Sequence, residues 1–477
     1  MGYIFLVITA LTLFVAFIAK GAPFMHVDER TRRRQCFDAW HAALRAAGLD
    51  SRQLTATESR ATGELDGASV NIELKGHDFN VYTHYQSLIA VESAHIPRSL
   101  SLRRDPDVAS SVRWSRTDDV KTGDRQFDER HVLKELDAHV CAALGYTTRA
   151  LLTPLLSQGV NIEGGKFIYR SDWSERENAS LPQLLRRLAA IAQALSIPPE
   201  QVPQRLAQSA LTDPAPDVRL SNLRYLVAPA TNAPRSIIDD TVPTLLEDPH
   251  AAVRALAAQH AGVQGHPVLR QLVADASIEL AVRIQAARAL GQRTSPDLEG
   301  LRAALLDRLP PEVLCAALSV AGAHADADLR DAVLRSAASV HPSVRAEAAG
   351  ALGVLADPLT EPHLILLLSD PDPDVQQASA DALGAFGSIA AVEPLLPLTG
   401  GLMRALRVTE AARAAIVRIQ GRLGDVDAGR LSLSESHELA GAVDIANAAS
   451  AVRVGEVSLV EEGAPAELRS PPLDLRR

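Results

Sequence analysis

Aromatic residues, lysine and cysteine are all scarce in this chain of 477 residues. Aromatic residues make up only 4% of the sequence, so most hydrophobic cores must be built from Ala, Leu and Val. The three cysteines, Cys36, Cys141 and Cys315, lie far apart and show no CxxC spacing. This pattern excludes a zinc ribbon and disfavours a disulfide framework. The basic charge is nearly all arginine, because the only lysines are Lys20, Lys75, Lys121, Lys134 and Lys166.

Motifs that carry known chemistry are also missing. The sequence contains no HExxH, GxSxG or paired CxxC motif. The stretch GVNIEGGKF, residues 159–167, resembles a phosphate-binding loop, but Gly165 stands where that motif needs Lys. We expect a hairpin turn there instead. His437 and Glu438 form the only His-Glu pair, which is too little for a metal site. The sequence therefore favours a non-enzymatic protein with no cofactor and no metal.

A strong basic balance is absent as well. The formal net charge is -10 and the isoelectric point is near 5.8. Nucleic-acid binding depends on a basic face that contacts phosphates, so we expect no nucleic-acid partner. The length is too great for one hydrophobic core and favours two or three domains.

An uncharged apolar run opens the chain. Tyr3–Ala19 is 17 residues long, close to the roughly 20 residues that cross a bilayer as a helix. Residues 1–22 are therefore predicted to be a transmembrane anchor, and residues 23–35 a basic juxtamembrane linker. The apolar positions assigned to the anchor include Tyr3, Phe5, Leu11, Phe14 and Phe17.

Basic side chains follow this run and none precedes it. The positive-inside rule then places the bulk of the chain in the cytoplasm, as a single-pass protein of the inner membrane. The alternative is a cleaved secretory signal, which would make the protein exported or periplasmic. The residues that determine the predicted topology are Lys20, Arg30, Arg32, Arg33 and Arg34.

Strand signals dominate the segment that follows the linker. A short helix is predicted from Cys36 to Leu49, and Val70, Ile72 and Leu74 then alternate with polar residues at the period of a strand. Asp66-Gly67 is a tight-turn signal between two strands. All three tryptophans lie before residue 174, and aromatics nearly vanish afterwards. Residues 36–175 are therefore predicted to be a small α+β domain, with a boundary near residues 175–200.

A repeat follows that boundary. Each repeat has a valine after a helix-start signal, and successive valines are 35, 29, 31, 31 and 31 residues apart. About 31 residues is just enough for two short helices and two turns, and neither helix could bury its apolar stripe alone. Stacked neighbours can, which predicts an α-solenoid over residues 176–420. The Asp before a repeat helix is expected to cap its free N–H groups, and helices are expected to end at Gly353, Gly384 and Gly387. The valines are Val218, Val253, Val282, Val313, Val344 and Val375.

The repeats resemble HEAT repeats, particularly the short bacterial kind related to phycobilisome-lyase repeats. The resemblance depends on an Asp, then four residues, then Val-Arg, as in DPAPDVR and DPHAAVR. It implies a mainly α protein with a HEAT-like α-solenoid, preceded here by a small α+β domain and a single transmembrane helix. Its polar positions could form a ladder that binds an acidic partner, although pairing within and between repeats is favoured. These positions are Asp213, Arg219, Asp248, Arg254, Arg283, Arg345 and Asp370.

The flanking segments add organisation rather than chemistry. GELDGASVNIEL and TGDRQFDERHV resemble segments of HEAT-repeat proteins of unknown function in GC-rich bacteria. Residues 421–477 are rich in small and acidic residues and are predicted to be a flexible acidic tail. The predicted function is a membrane-anchored scaffold or adaptor that binds a protein partner through its repeats. The alternative is a phycobilisome-lyase-like enzyme or chaperone that acts on a protein substrate.

Overall fold

The structure is a computed structural model, and it forms two compact units, Met1–Thr241 and Val242–Arg477. It describes residues 29–49, 53–54, 58–79, 82–105, 120–172, 175–292, 294–400, 405–424, 433–434 and 442–443. The predicted transmembrane anchor, residues 1–22, lies outside these ranges. Among the residues that are described, no helix combines the length and the apolar character needed to cross a membrane.

The described part of the first unit contains an antiparallel sheet of eight strands in the order β1-β2-β3-β4-β8-β7-β5-β6. The strands are β1 (Gln53–Leu54), β2 (Glu58–Leu65), β3 (Ala68–Phe79), β4 (Tyr82–Glu92), β5 (Leu102–Arg104), β6 (His131–Leu133), β7 (Asn161–Glu163) and β8 (Lys166–Asp172). The helices are α1 (Glu29–Ala47), α2 (Arg125–Asp128), α3 (Ala138–Ala143), α4 (Tyr146–Ser157), α5 (Glu175–Leu195), α6 (Val202–Thr212) and α7 (Pro216–Val227). The division between the units falls within α8 (Arg235–Leu245).

The predicted strand alternation in this unit is confirmed. Val70, Ile72 and Leu74 of β3 are all buried, at 1% exposure or less. Asp66 and Gly67 form the predicted turn between β2 and β3, both with positive φ. The EGGK stretch, residues 163–166, is a hairpin turn between β7 and β8, so it has no phosphate-loop geometry.

Two helices of the first unit differ from the sequence expectation in their extent. Helix α1 begins at Glu29, so the second half of the predicted linker, including Arg34, is helical. Helix α5 lies beyond residue 175, yet its Leu185 and Leu188 are fully buried in the same core as the sheet. The core of the sheet therefore extends past the compositional boundary, because an amphipathic helix covers it.

The second unit consists of helix pairs over most of its described length. Its helices are α9 (Ala251–His260), α10 (His266–Ala274), α11 (Leu280–Leu290), α12 (Leu298–Leu306), α13 (Pro311–Ala321), α14 (Ala327–Ser336), α15 (Pro342–Leu355), α16 (Glu361–Leu367), α17 (Pro373–Phe386), α18 (Val392–Leu395) and α19 (Leu406–Gly424). The odd-numbered helices α9 to α19 are here called the second helices, and successive second helices pack side by side. Five repeat valines lie in α9 to α17, and Val218 lies in α7 of the first unit. Two short paired strands follow, β9 (Leu433–Ser434) and β10 (Ala442–Val443).

The repeat prediction holds at the level of side-chain burial. Each of the six repeat valines lies in the first half of its helix and is at most 7% exposed. Consecutive second helices approach closely because small residues face one another. A Cβ built on Gly353 of α15 would lie 2.7 Å from the Cβ of Ala382 in α17. The same close approach recurs at 31-residue intervals, at Gly291, Gly322, Gly353 and Gly384.

The sequence interpretation of two of these glycines was wrong. Gly353 and Gly384 were expected to end helices, but both lie inside helices α15 and α17. These glycines let the backbones of consecutive second helices approach closely, and they can do so in a helical conformation. Gly387, by contrast, follows the last residue of α17 and does end that helix.

The predicted tail, residues 421–477, begins inside α19, which continues to Gly424. Only β9 and β10 are described in the remainder of it. His437 and Glu438 lie outside the described residues.

Candidate functional site

The aspartates of the repeat signal close turns in front of helices. Asp213, Asp248 and Asp370 each accept a hydrogen bond from the backbone N–H two residues ahead, at 3.0, 2.8 and 2.9 Å. Proline occupies the intervening position and has no N–H to satisfy. The aspartates were expected to cap helices, but the side chain that caps α17 is Asp372.

The arginines of the signal bind backbone carbonyls. The Nη1 atoms of Arg219, Arg254 and Arg345 donate to the carbonyl six residues earlier, at 2.9, 2.8 and 2.9 Å. Gln376 takes the same position and donates to the carbonyl of Asp370 at 2.7 Å. Arg283 is buried at 6% exposure and donates from Nε to the carbonyl of Val273. These donors satisfy carbonyls at the ends of the preceding helices.

Two of the aspartates also pair with an arginine from an earlier helix. Arg345 donates from Nε and Nη2 to both carboxylate oxygens of Asp370, at 2.7 and 2.8 Å. These hydrogen bonds lower the pKa of Asp370 below its ordinary value. Arg149 of α4 binds Asp213 in the same bidentate way, with both contacts at 3.0 Å.

Arg149 is the centre of a buried network that the sequence did not reveal. Its side chain is 1% exposed, and its Nε donates to Asp124 at 2.9 Å. Asp124 also accepts the backbone N–H groups of Gln126 and Phe127 at the start of α2. The TGDRQFDERHV segment therefore has a structural role in this chain, because it holds one carboxylate against a buried guanidinium.

A second set of ion pairs links the first helices of neighbouring repeats. Arg270 of α10 donates to both carboxylate oxygens of Asp297, each at 2.6 Å. Burial opposes ionisation of Asp297, but Arg270 outweighs it, so the pKa of this carboxyl is lowered. Arg330 and Asp357 repeat the relationship two repeats later, at 3.0 Å. Most of the repeat charges that could have formed a ligand-binding ladder therefore bind groups within the fold. The same is true of Arg270, Asp297, Arg330 and Asp357, which the sequence did not single out.

A cleft on the second helices differs from this pattern. It has a volume of about 360 Å³ and lies between α11, α13 and α15. We call it the Glu347 cleft. A neighbouring cleft of about 440 Å³ shares Ile284 and Arg288 with it, and we call the two clefts together the depression. The polar residues that line the Glu347 cleft are Arg288, Glu312, Cys315, Ser319, Ser343 and Glu347.

The charged groups of the Glu347 cleft lack short-range partners. Within the described residues, Glu347, Glu312 and Arg288 form no ion pair and no side-chain hydrogen bond. Burial raises the pKa of Glu347, and the electrostatic effect of Arg288 only partly opposes it. Burial also raises the pKa of Cys315, against a hydrogen bond with Ser343. Partial burial without a protein donor disfavours the charged form of this carboxylate.

The same face is neutralised further along the repeats. Arg407 of α19 pairs with Asp374 of α17 at 2.7 Å, and Arg418 lies 3.9 Å from Asp381. Ion pairs therefore engage several of the charges that α17 and α19 carry. No group of three or more His, Cys, Asp or Glu residues that could hold a metal ion occurs within the described ranges.

Comparison with known proteins identifies the repeats. The family model for HEAT repeats matches residues 331–415, from the middle of α14 into α19. Human deoxyhypusine hydroxylase in complex with glycerol is similar, with a TM-score of 0.24, 19% identity, and coverage of 47% of this chain and 97% of that one. Cex1p is similar with a TM-score of 0.26, 10% identity, and coverage of 80% and 96%. TM-scores this low carry no argument about function. No curated protein sequence matches the chain.

Proposed function

We propose that this chain is a membrane-tethered HEAT-repeat protein that binds a protein partner on the second helices of its repeats. One observation carries the proposal: within the described residues, the half-buried Glu347 forms no ion pair and no side-chain hydrogen bond, whereas the repeat aspartates and arginines are engaged internally. Helical repeats that stack in this way present extended surfaces to other molecules.

Binding fits the chemistry of the cleft better than catalysis does. The thiolate is the reactive form of cysteine, and burial raises the pKa of Cys315. Cys141 is a still weaker candidate, because burial raises its pKa to about 12. We therefore infer that neither thiol acts as a nucleophile and that the protein is not an enzyme.

The tether is supported by the sequence of the first 35 residues. The uncharged run Tyr3–Ala19 precedes a segment with five basic residues, so the proposed orientation leaves the repeats in the cytoplasm. Fractionation of cells that express the full chain tests this part. The protein should sediment with membranes and resist alkaline carbonate extraction. A soluble product shortened by about 20 residues would instead indicate a cleaved signal.

Capture from detergent-solubilised membranes tests the binding role. The full chain is compared with two variants that fill the depression, Ala281→Arg and Ser319→Arg, whose alanine and serine are exposed and line it. Ala303→Arg is the matched control, because Ala303 is exposed on α12 and lines neither cleft. Proteins retained by the unaltered chain and the control, but lost from both blocking variants, support the proposal. Equal retention by all four proteins would contradict it.

A further inference from the structure

The chemistry of the Glu347 cleft limits what the partner can present to it. We propose that the partner inserts one lysine or arginine side chain into this cleft, where the cationic group lies against Glu312 and Glu347. This inference depends on the proposed function, since it names the chemical feature that the repeats recognise. It makes the cleft a specificity pocket for a basic residue within a peptide segment.

Two carboxylates of the cleft are available to an incoming cation. Glu312 and Glu347 both line the cleft, and the negative charge of each adds to burial in raising the pKa of the Cys315 thiol. Neither forms an ion pair with any described residue. A cation that enters from a partner therefore meets two acceptors that no internal donor occupies.

The walls of the cleft also include apolar side chains. Ile284, Pro311 and Ala316 line it together with the carboxylates. Lysine and arginine carry three or four methylene groups below the charge, and such stems pack on apolar surface while the charged end reaches polar groups. The cleft thus offers both surfaces that a long basic side chain requires. A short acidic side chain would place its charge beside two carboxylates.

Arg288 weakens the preference of the cleft for a cationic side chain. Its guanidinium opposes the raised pKa of Glu347, so it supplies part of the positive charge that the partner would otherwise provide. It also repels an incoming cation. Replacement of Arg288 by glutamine should therefore strengthen the binding of a basic peptide, a direction that a merely structural arginine would not produce.

A peptide selection tests the proposal directly. The purified full chain, in detergent, is incubated with four pools of acetylated and amidated heptapeptides. The central residue is lysine, arginine, norleucine or glutamate, and the flanks are equimolar mixtures. Bound peptides are quantified by mass spectrometry. The proteins compared are the unaltered chain, the double variant Glu312→Gln/Glu347→Gln, Arg288→Gln, and the control Glu410→Gln, whose glutamate is exposed on α19 and lies outside the cleft.

We expect lysine or arginine pools to be retained over the norleucine pool, with a loss of about tenfold or more in the double variant. Arg288→Gln should retain more basic peptide, and Glu410→Gln should match the unaltered chain. Equal retention of all pools, preference for glutamate, or a basic preference that survives in the double variant would overturn the inference. The proposed function would still stand if the blocking variants lost partner proteins, because that capture does not depend on charge in the cleft.

Discussion

Arg149 and Asp213 lie 64 residues apart in the sequence and form a fully buried bidentate ion pair. A second bidentate pair joins Arg345, through Nε and Nη2, to Asp370 over 25 residues inside the repeats of the second unit. In both cases the aspartate precedes a proline and closes the turn before a helix. The helices of the first unit therefore use the same device as the repeats of the second.

Loss of the Arg149 guanidinium should strongly destabilise the first unit. Arg149→Met leaves the buried Asp213 and the partly buried Asp124 without their cation, which costs about 3–5 kcal/mol of unfolding free energy. Urea unfolding, followed by thiol labelling of the buried Cys141, measures the change. Arg125→Met is the control, because Arg125 pairs with Glu129 on the surface and should cost less than about 1 kcal/mol. Similar losses in both variants would contradict the network.

Two glycines in α15 should respond in opposite ways to alanine. Gly353→Ala places a methyl group 2.7 Å from Ala382, so overpacking should cost about 1–3 kcal/mol. Gly350→Ala meets no atom within 4 Å, so the variant should gain about 0.5–1 kcal/mol from reduced backbone entropy of the unfolded chain. Thermal unfolding of the two variants gives the comparison. Equal effects would show that the second helices do not approach as described.

The Arg345–Asp370 pair should make stability depend on acid pH. The pKa of Asp370 is lowered, so its contribution is present above its unfolded pKa of about 3.9 and is lost as the pH falls through the folded value. Arg345→Gln keeps a side chain that the next repeat accommodates as Gln376, but it removes the ion pair. It should cost about 1.5–3 kcal/mol at pH 7 and progressively less below about pH 4.

The unfolding free energies of both proteins at several pH values test this expectation. The matched control is Arg407→Gln, whose partner Asp374 is more than half exposed and whose loss should be small at every pH. A cost of Arg345→Gln that is constant down to low pH would exclude a role for the charge of Asp370.

Glu347 should show the opposite pH dependence. Burial raises its pKa, so the folded state holds its proton more tightly and loses stability as the pH rises from about 4.3 through the folded value. Glu347→Gln removes this cost and should be more stable than the unaltered chain at pH 7, with no gain below about pH 4. The unfolding free energies of the variant and of the unaltered chain at these two pH values test this expectation. A destabilised variant at pH 7 would mean that a donor already satisfies this carboxylate.

Much of the repeat architecture could be predicted from the sequence, because the burial of one valine per repeat is a local and periodic requirement. The positions of the valines in the sequence correctly predicted where every second helix from α7 to α17 lies. The sequence also favoured the interpretation that the repeat arginines bind groups within the fold, because Val-Arg recurs at a fixed distance after Asp. Whether the run Tyr3–Ala19 is an anchor remains a prediction, because it lies in a part of the chain that the structure does not describe.

The rest depended on proximity that the sequence does not encode locally. The partner of Arg149 is 64 residues away and belongs to no repeat interval, so spacing could not identify it. Arg270 and Asp297 are 27 residues apart, as are Arg330 and Asp357, but this spacing differs from the 31-residue period of the valines that marks the repeats in the sequence. Arg288 and Glu347 occupy different positions relative to their repeat valines, so no periodic signal marks the cleft.

The most direct test of the central claim is a photo-crosslink in living cells. Benzoylphenylalanine is introduced at position 319, in the Glu347 cleft, or at position 303, on the exposed face of α12. Irradiated cells are then analysed for covalent adducts of the full chain. We expect an adduct with a partner protein at position 319 and none at position 303. An adduct at position 303 alone would show that the partner binds another face and that the Glu347 cleft is not the binding site.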